Sequence, residues 1–305
     1  MHSQPMEPEF DAIVIGGSYA GMSAAMQLAR ARRRVLVIDA GQRRNRFASH
    51  SHGFLTQDGT EAAAIAAQGR AQLMNYPNVT WLEGLASSAL PRVDGFAVTL
   101  ATGETRSGSR LVLATGVADE LPAVEGLRER WGSSVFHCPY CHGYELDAGN
   151  IGVLAVGALS MHHALMLPDW GKVTFFLNDA FEPDAAQLAA LEARQVTIER
   201  TPVARIAGQA DVVLVDGRVL PMAGLFVAPR MRDASPVARE LGCAMEEGPA
   251  GRYVQTDAMK ASSVPGVFCC GDMARAAGNV AFAVADGAMA GVAAHRSLIP
   301  QLHTA

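Results

Sequence analysis

The sequence lacks an apolar run long enough to cross a bilayer; its best candidate, Ile151–Leu167, is broken by His162 and His163. It also lacks a long basic run. Arg30, Arg32, Arg33 and Arg34 end a helix pattern and open a strand, where such a cluster complements a helix C-terminus. With a net charge of −5, this leaves no nucleic-acid footprint. Charged residues are only 18% and no segment is of low complexity, while half the residues are apolar, so a disordered chain is excluded. Met1 to Phe10 carries no apolar signal core, and the expected location is cytoplasmic. Cysteine is scarce, five in 305 residues, but two of the five stand as Cys-x-x-Cys. In a reducing compartment that spacing means redox chemistry or metal rather than a structural staple.

The length is comfortable for two domains. Asp11–Ile15 reads as an apolar strand, followed by a glycine turn, a helix from Tyr19 to about Arg30, and a second strand over Arg34–Ile38. Continuous apolar runs of this kind belong to a buried parallel sheet. Gly95–Leu100 and Leu111–Ala114 read as further strands, and Thr115-Gly116 turns out of the last. Val117–Arg130, with Pro122 and Gly126, reads as a crossover. A second unit of the same kind follows: strand Ile151–Val156, helix Ser160–Leu167, strand Lys172–Leu177. The repeat predicts an α/β protein of two Rossmann-like nucleotide-binding domains in tandem. Gly248–Gly251 reads as a second linker, and Val280–Ser297 as a closing helix.

Gly16-Gly17-Ser18-Tyr19-Ala20-Gly21 stands where a dinucleotide fingerprint belongs. The first glycine permits the tight turn, and the last lets the helix pack on the strand. The helix N-terminus then faces a pyrophosphate. Asp39 ends the second strand, about 20 residues on, where an acid accepts ribose hydroxyls. Ser18 replaces the middle glycine of the pattern.

Phe136-His137-Cys138-Pro139-Tyr140-Cys141-His142-Gly143 is the most informative stretch. Cysteines at this spacing can close a small disulfide ring, and a helix N-terminus lowers a thiol pKa. His142, titrating near neutrality, can take a proton from a thiol and return it. Cys-x-x-Cys-His also matches c-type haem attachment, but that needs export. A zinc site needs further ligands, and Cys243, Cys269 and Cys270 offer no second Cys-x-x-Cys, so no metal is expected. Pro-Tyr between the cysteines is also a glutaredoxin feature, but that short fold carries its pair early rather than mid-chain.

Gly16–Gly21, Asp39, Ala114-Thr115-Gly116, Cys138–Cys141 and the run from Ser262 through Cys269, Cys270, Gly271 and Asp272 occur in an order that resembles the low-molecular-weight thioredoxin reductases over nearly the whole chain. Cys-Pro-Tyr-Cys-His-Gly-Tyr-Glu is similar to the dithiol oxidase branch of that family. The branch includes enzymes that close disulfides in gliotoxin-type and holomycin-type natural products. The stretch Arg44-Asn45-Arg46 through His50, His52, Gly53 and Gly59 is similar to the same branch. The resemblance implies a discontinuous FAD domain, 1–117 and 252–305, and a degenerate NAD(P)-like domain, 118–251, carrying the cysteine pair. It places Arg46 and His52 near the flavin and Asp272 on the FAD ribityl or pyrophosphate region. It makes Cys141 the flavin-facing cysteine and Cys138 the one that exchanges with substrate, and it implies a homodimer. The physical reading adds that Gly271-Asp272 emerges at a strand end. The closing helix, beginning near Asn279 and Val280, directs its dipole toward a reduced flavin. Cys269 and Cys270 read as small packing residues, while Tyr19, Tyr140 and Phe54 read as pocket lining or, as aromatics near a turn more often are, packing.

Two departures from a reductase matter. The second glycine turn is Ala155-Val156-Gly157-Ala158-Leu159-Ser160, with only Gly157 left of the pattern, and Leu177-Asn178-Asp179 stands where a basic cluster would grip a 2′-phosphate. NADPH is therefore disfavoured. Either the domain is a relic, which the missing first glycine favours, or Asp179 accepts the hydroxyls of NADH. The second departure is His142, where the reductases carry Asp. The expected activity is that of an FAD-dependent dithiol oxidase acting through Cys138, Cys141 and His142 on a small-molecule dithiol or small redox protein. Oxygen or another acceptor takes the electrons. The alternatives are a thioredoxin-reductase-like enzyme fed by NADH, NADPH or a reduced carrier, and a non-catalytic flavin or redox-sensing module.

Overall fold

The structure is a computed structural model that describes residues 8–302. It is α/β, with the expected pair of Rossmann-like units. Of the described residues, the first unit takes those up to Arg44, Ala63–Ala118 and those from Arg232 onward. The second takes Asn45–Ala62 and Asp119–Met231.

In the first unit, seven strands form one sheet. Val79–Glu83, Val35–Asp39, Phe10–Ile15 and Thr105–Leu113 lie side by side and parallel. Val267–Cys269 adds to Thr105–Leu113, also parallel. The meander of Ala86–Arg92, Gly95–Leu100 and Thr105–Leu113 is antiparallel. Ala12–Ile15 and Val35–Ile38 are buried along their length, which explains why they read as continuous apolar runs instead of alternating ones. The helix Tyr19–Arg30 packs against the closing helix Val280–Arg296 at backbone distance. A Cβ on Gly287 would lie 2.0 Å from the Ala20 carbonyl oxygen, and one on Gly291 2.4 Å from that of Ala24. Ser23 Oγ donates to the Val284 carbonyl at 2.7 Å across the same contact. Gly248 and Gly251, expected as a linker, instead form the tip of a hairpin between Met245–Gly248 and Gly251–Val254, whose register pairs the two glycines.

In the second unit, five parallel strands run in the order Val135–Phe136, Gly224–Val227, Asn150–Leu154, Lys172–Phe176, Thr197–Glu199. Alternate side chains fill two cores. Val153, Phe175 and Phe226 enter one, and Leu154, Phe176 and Leu225 the other. A three-stranded antiparallel sheet, Val203–Ala207, Asp211–Leu214 and Val219–Leu220, completes the unit. The helix expected over Ser160–Leu167 is reduced to Met161–Met166 between two 3-10 turns. Pro168 cannot continue the i to i−4 ladder. Among the described residues, no helix is long and apolar enough to cross a membrane.

Candidate active site

The first unit carries a nucleotide cradle. The strand Phe10–Ile15 ends at Gly16, whose φ of +105° suits glycine alone, and a Cβ there would meet the Ala114 carbonyl oxygen at 2.2 Å. At Gly21 a Cβ would fall 1.7 Å from the Gly16 carbonyl oxygen, so the helix Tyr19–Arg30 begins against the strand end. Ser18 is the N-cap residue in an extended conformation, and its side chain makes no capping bond, so it does not close the helix N-terminus. Asp39 Oδ1 accepts the Gly17 N–H at 3.1 Å, which fixes the carboxyl group at the mouth of the turn.

Trp81 lines the same corner, 2.5 Å from the position of a Gly17 Cβ, with the Arg70 guanidinium 4.4 Å above its ring. The Trp81 Nε1–H is buried and has no hydrogen-bond partner among the described residues. An indole donor next to Asp39 fits the polar edge of an adenosine, and an uncapped helix N-terminus fits a pyrophosphate. The residues present thus fit FAD. Gly16, Gly17, Ser18, Tyr19, Ala20, Gly21 and Asp39 surround one end of the cradle. Thr115 and Gly116 leave the strand Thr105–Leu113 at the next loop, where the Thr115 hydroxyl donates to Met273 Sδ at 3.3 Å.

Gly271 and Asp272 follow the strand Val267–Cys269. Asp272 Oδ2 pairs with the Arg44 guanidinium at 2.8 Å, and both side chains are largely buried. The closing helix begins at Val280, where expected, and Asn279 caps it: its Oδ1 accepts the Phe282 N–H at 2.7 Å. Sequence reasoning missed Asp286 on this helix. Its buried carboxylate holds Lys260 Nζ at 2.9 Å and Arg275 at 3.1 Å. The available signal was a lone acid inside an otherwise apolar helix.

The second unit carries the sulfur chemistry. Cys138 and Cys141 are joined as a disulfide, S–S 2.02 Å. Cys138 is the N-cap of a single helical turn, Pro139–His142, with Pro139 pre-set for the first position. His142 lies flat on Phe136, centroids 4.3 Å apart and planes at 18°. Burial, and then the nearby charge of His52, pushes its pKa down to about 4. The near-neutral titration expected for His142 is thus corrected: a ring withdrawn from water resists the charged form. At pH 7 it is a neutral imidazole, able to accept a proton.

His52 and Arg46 belong to this same unit. His52 Nδ1 lies 3.3 Å from Glu145 Oε1 and 3.7 Å from Asp58 Oδ1, while Arg46 lies over the Phe47 ring at 4.2 Å. Tyr140, read as pocket lining or packing, is 73% exposed and meets Trp170 edge-on at 5.3 Å. Tyr144 is exposed as well, so the disulfide turn presents two aromatic rings to solvent. His163, read from sequence only as a break in an apolar run, is buried, and its pKa is also pushed down to about 4.

The second glycine turn is closed by its own side chain. Ser160 is fully buried, and its Oγ accepts the Val156 N–H at 3.0 Å. Gly157 keeps a φ of +147°. Past the next strand, Asn178 and Asp179 both take left-handed backbone, and Asn178 Oδ1 accepts the Val203 N–H at 2.8 Å. The neighbouring cations are engaged: Arg200 binds Glu182, and Arg218 binds Glu199 and Asp216.

The chain is similar to known proteins over most of its length. A family model described as pyridine nucleotide-disulphide oxidoreductase matches residues 10–290. The chain is 34% identical over 303 residues to the thioredoxin reductase sirT of Leptosphaeria maculans, covering 92% of each chain. It is 32% identical over 309 residues to the thioredoxin reductase tcpT of Claviceps purpurea, covering 96% of this chain and 95% of that protein. Among solved structures, an oxidoreductase from Agrobacterium tumefaciens is 57% identical with a TM-score of 0.93, covering 95% of this chain and 98% of that one. HlmI is 35% identical with a TM-score of 0.87, covering 96% and 93%.

Proposed function

Since the chain belongs to the pyridine nucleotide-disulphide oxidoreductase family, and is an FAD-dependent disulfide oxidoreductase of the thioredoxin-reductase-like kind, we propose that it runs as a dithiol oxidase without NADPH. The observation that carries this reading is the second glycine turn. There the Val156 N–H, one of the groups a nucleotide phosphate would need, is taken by Ser160 Oγ. Among the described residues, Arg200 and Arg218, the arginines of the strands beside this turn, are committed to carboxylates and not to a 2′-phosphate.

The reaction begins with a small-molecule dithiol at the exposed disulfide turn. His142, neutral above pH about 4, accepts the proton of the first substrate thiol. The thiolate attacks Cys138 Sγ, a mixed disulfide forms, and Cys141 leaves as thiolate. The second substrate thiolate then attacks its own mixed-disulfide sulfur. This closes the substrate disulfide and releases Cys138. Two electrons have moved from substrate to the cysteine pair. Bound FAD supplies the two-electron acceptor that returns the pair to the disulfide, and oxygen or another acceptor takes the electrons onward. Tyr140 and Tyr144 offer apolar faces on which a compact, uncharged dithiol can rest. His52, held by Glu145, keeps a second imidazole in the neighbourhood of His142.

The names of the fungal relatives, thioredoxin reductases, favour a second reading, in which electrons run the other way, from NADH, NADPH or a reduced carrier to a disulfide. One experiment separates the two. The oxygen-free holoprotein is mixed in turn with NADPH, NADH and a small dithiol, and flavin absorbance is followed. The dithiol alone should bleach the flavin. Rapid bleaching by either nicotinamide overturns the oxidase reading.

A further inference from the structure

Three cysteines play no part in this chemistry, and two of them lie together. Cys243 follows the short helix Val237–Glu240, and its N–H donates to the Ala238 carbonyl at 3.0 Å. The next residue, Ala244, donates its N–H to Ser263 Oγ at 2.8 Å, which ties this loop to the Ser262-Ser263 segment. That segment is fastened in turn to the strand Val267–Cys269. Ser262 N–H donates to the Val267 carbonyl and Cys269 N–H to the Lys260 carbonyl, each at 2.9 Å. The backbone thus brings three side chains into one cluster. The Cys243 sulfur is 3.6 Å from Ser262 Oγ, and the Cys269 side chain lies near enough to act on the Cys243 thiol. Both sulfurs lie in the same core of the first unit.

The neighbouring Cys270 is excluded by strand geometry. Successive side chains point to opposite faces, and Cys270 Sγ donates to the Leu113 carbonyl at 3.8 Å, with burial pushing its thiol up to about 12. Cys243 differs in kind. The Cys269 and Ser262 hydrogen bonds hold its thiol down to about 7, a direction that favours the thiolate. It also keeps 6% of its surface accessible, whereas Cys269 keeps none. Cys243 is therefore the thiol a small oxidant reaches first, and Cys269 the one waiting behind it.

We propose that Cys243 and Cys269 are a second redox pair, which hydrogen peroxide converts to a disulfide. The Cys243 thiolate attacks one peroxide oxygen. The O–O bond breaks, hydroxide leaves, and Cys243 becomes a sulfenic acid. Cys269 sulfur then attacks the sulfenic sulfur. The S–S bond forms and the sulfenic oxygen leaves as water. Two thiols and one peroxide give one disulfide and two waters. The step draws nothing from the flavin or from Cys138–Cys141.

The test is a thiol map of the holoprotein before and after hydrogen peroxide. The protein is alkylated in denaturant and its peptides are identified by mass spectrometry. The expected result is loss of alkylation at both Cys243 and Cys269, a linked Cys243–Cys269 peptide, and Cys270 still alkylated. Cys138–Cys141 appears as its own linked peptide, so failure of the oxidase reading leaves this result untouched. In Cys269→Ser, Cys243 should stop at a sulfenic acid that dimedone labels. Two outcomes overturn the proposal: both cysteines stay fully alkylated after excess peroxide, or Cys243 of the unaltered protein runs on to sulfinic acid without linking. The map of the unaltered protein decides even where the variant fails to fold.

Discussion

The imidazole of His142 lies face to face on the Phe136 ring, 4.3 Å between centroids. This stacking removes one face of the ring from water and holds the imidazole next to the disulfide turn in its neutral form. Phe136 is itself fixed by the Phe226 ring at 5.7 Å, so the platform is part of the second unit's core.

The first prediction concerns that platform. Dithiol turnover should stay flat from pH 8 down through pH 6 and fall only near His142's displaced pKa of about 4. Phe136→Ala rehydrates the ring, so the acid limb should move up toward the ordinary histidine value near 6.5. His142→Ala should cut turnover by roughly 10²–10⁴-fold while the flavin spectrum is unchanged. A pH–rate profile of the three proteins checks this. An acid limb of the unaltered enzyme at pH 6.5 would count against the assignment.

A second prediction follows from burial of His163. Its pKa is lowered to about 4 in the folded chain, against about 6.5 when unfolded. The unfolded chain therefore binds the extra proton between these values, and stability falls as pH drops from 6.5 to 4. The loss reaches on the order of 3 kcal/mol from this one group. His163→Phe should lessen the acid sensitivity, measured as the urea midpoint at pH 4.5 relative to pH 7.

The Arg44–Asp272 pair yields a third. Asp272→Ala leaves Arg44 without its carboxylate in a largely buried setting, at a cost of about 1–3 kcal/mol. The expected readouts are a lower thermal midpoint and faster release of FAD, seen as a rise in free flavin fluorescence. Arg44→Ala should act in the same direction, and the double variant should lose less than the sum of the two.

Contact between the two long helices gives the fourth. Gly287→Ala places a methyl 2.0 Å from the Ala20 carbonyl oxygen, and Gly291→Ala one 2.4 Å from that of Ala24. Neither carbonyl can move without shifting the helix that opens the nucleotide cradle. Each substitution should destabilise by about 1–3 kcal/mol in chemical unfolding and reduce flavin content on purification.

Much of this site was legible because it rests on local rules. Gly16 and Gly21 are demanded by close backbone approach, Asp39 by a strand end, and the cysteine pair by its spacing. What was not legible depends on residues distant in sequence or on burial. Nothing near His142 announces that Phe136 and His52 will lower its pKa, because burial is a property of the folded unit. Asp286 reads as an anomaly until Lys260 and Arg275 arrive beside it. The pairing of Cys243 with Cys269 requires the Ser262-Ser263 segment to join a loop to a strand. Gly248 and Gly251 read as a linker, because a glycine pair alone does not announce the antiparallel register of its flanking strands.

The contact of Ser23 with Val284 also bears on how the chain is made. The first unit draws its two packed helices from opposite ends of the sequence, while Asp119–Met231 of the second forms one uninterrupted block. A ribosome releases that block long before Val280–Arg296 emerges. The nascent N-terminal helix must therefore wait, its apolar stripe without a mate, until translation is nearly over. Premature termination anywhere before Val280 leaves that stripe bare, giving a product fit for chaperones or proteases and unable to hold its coenzyme.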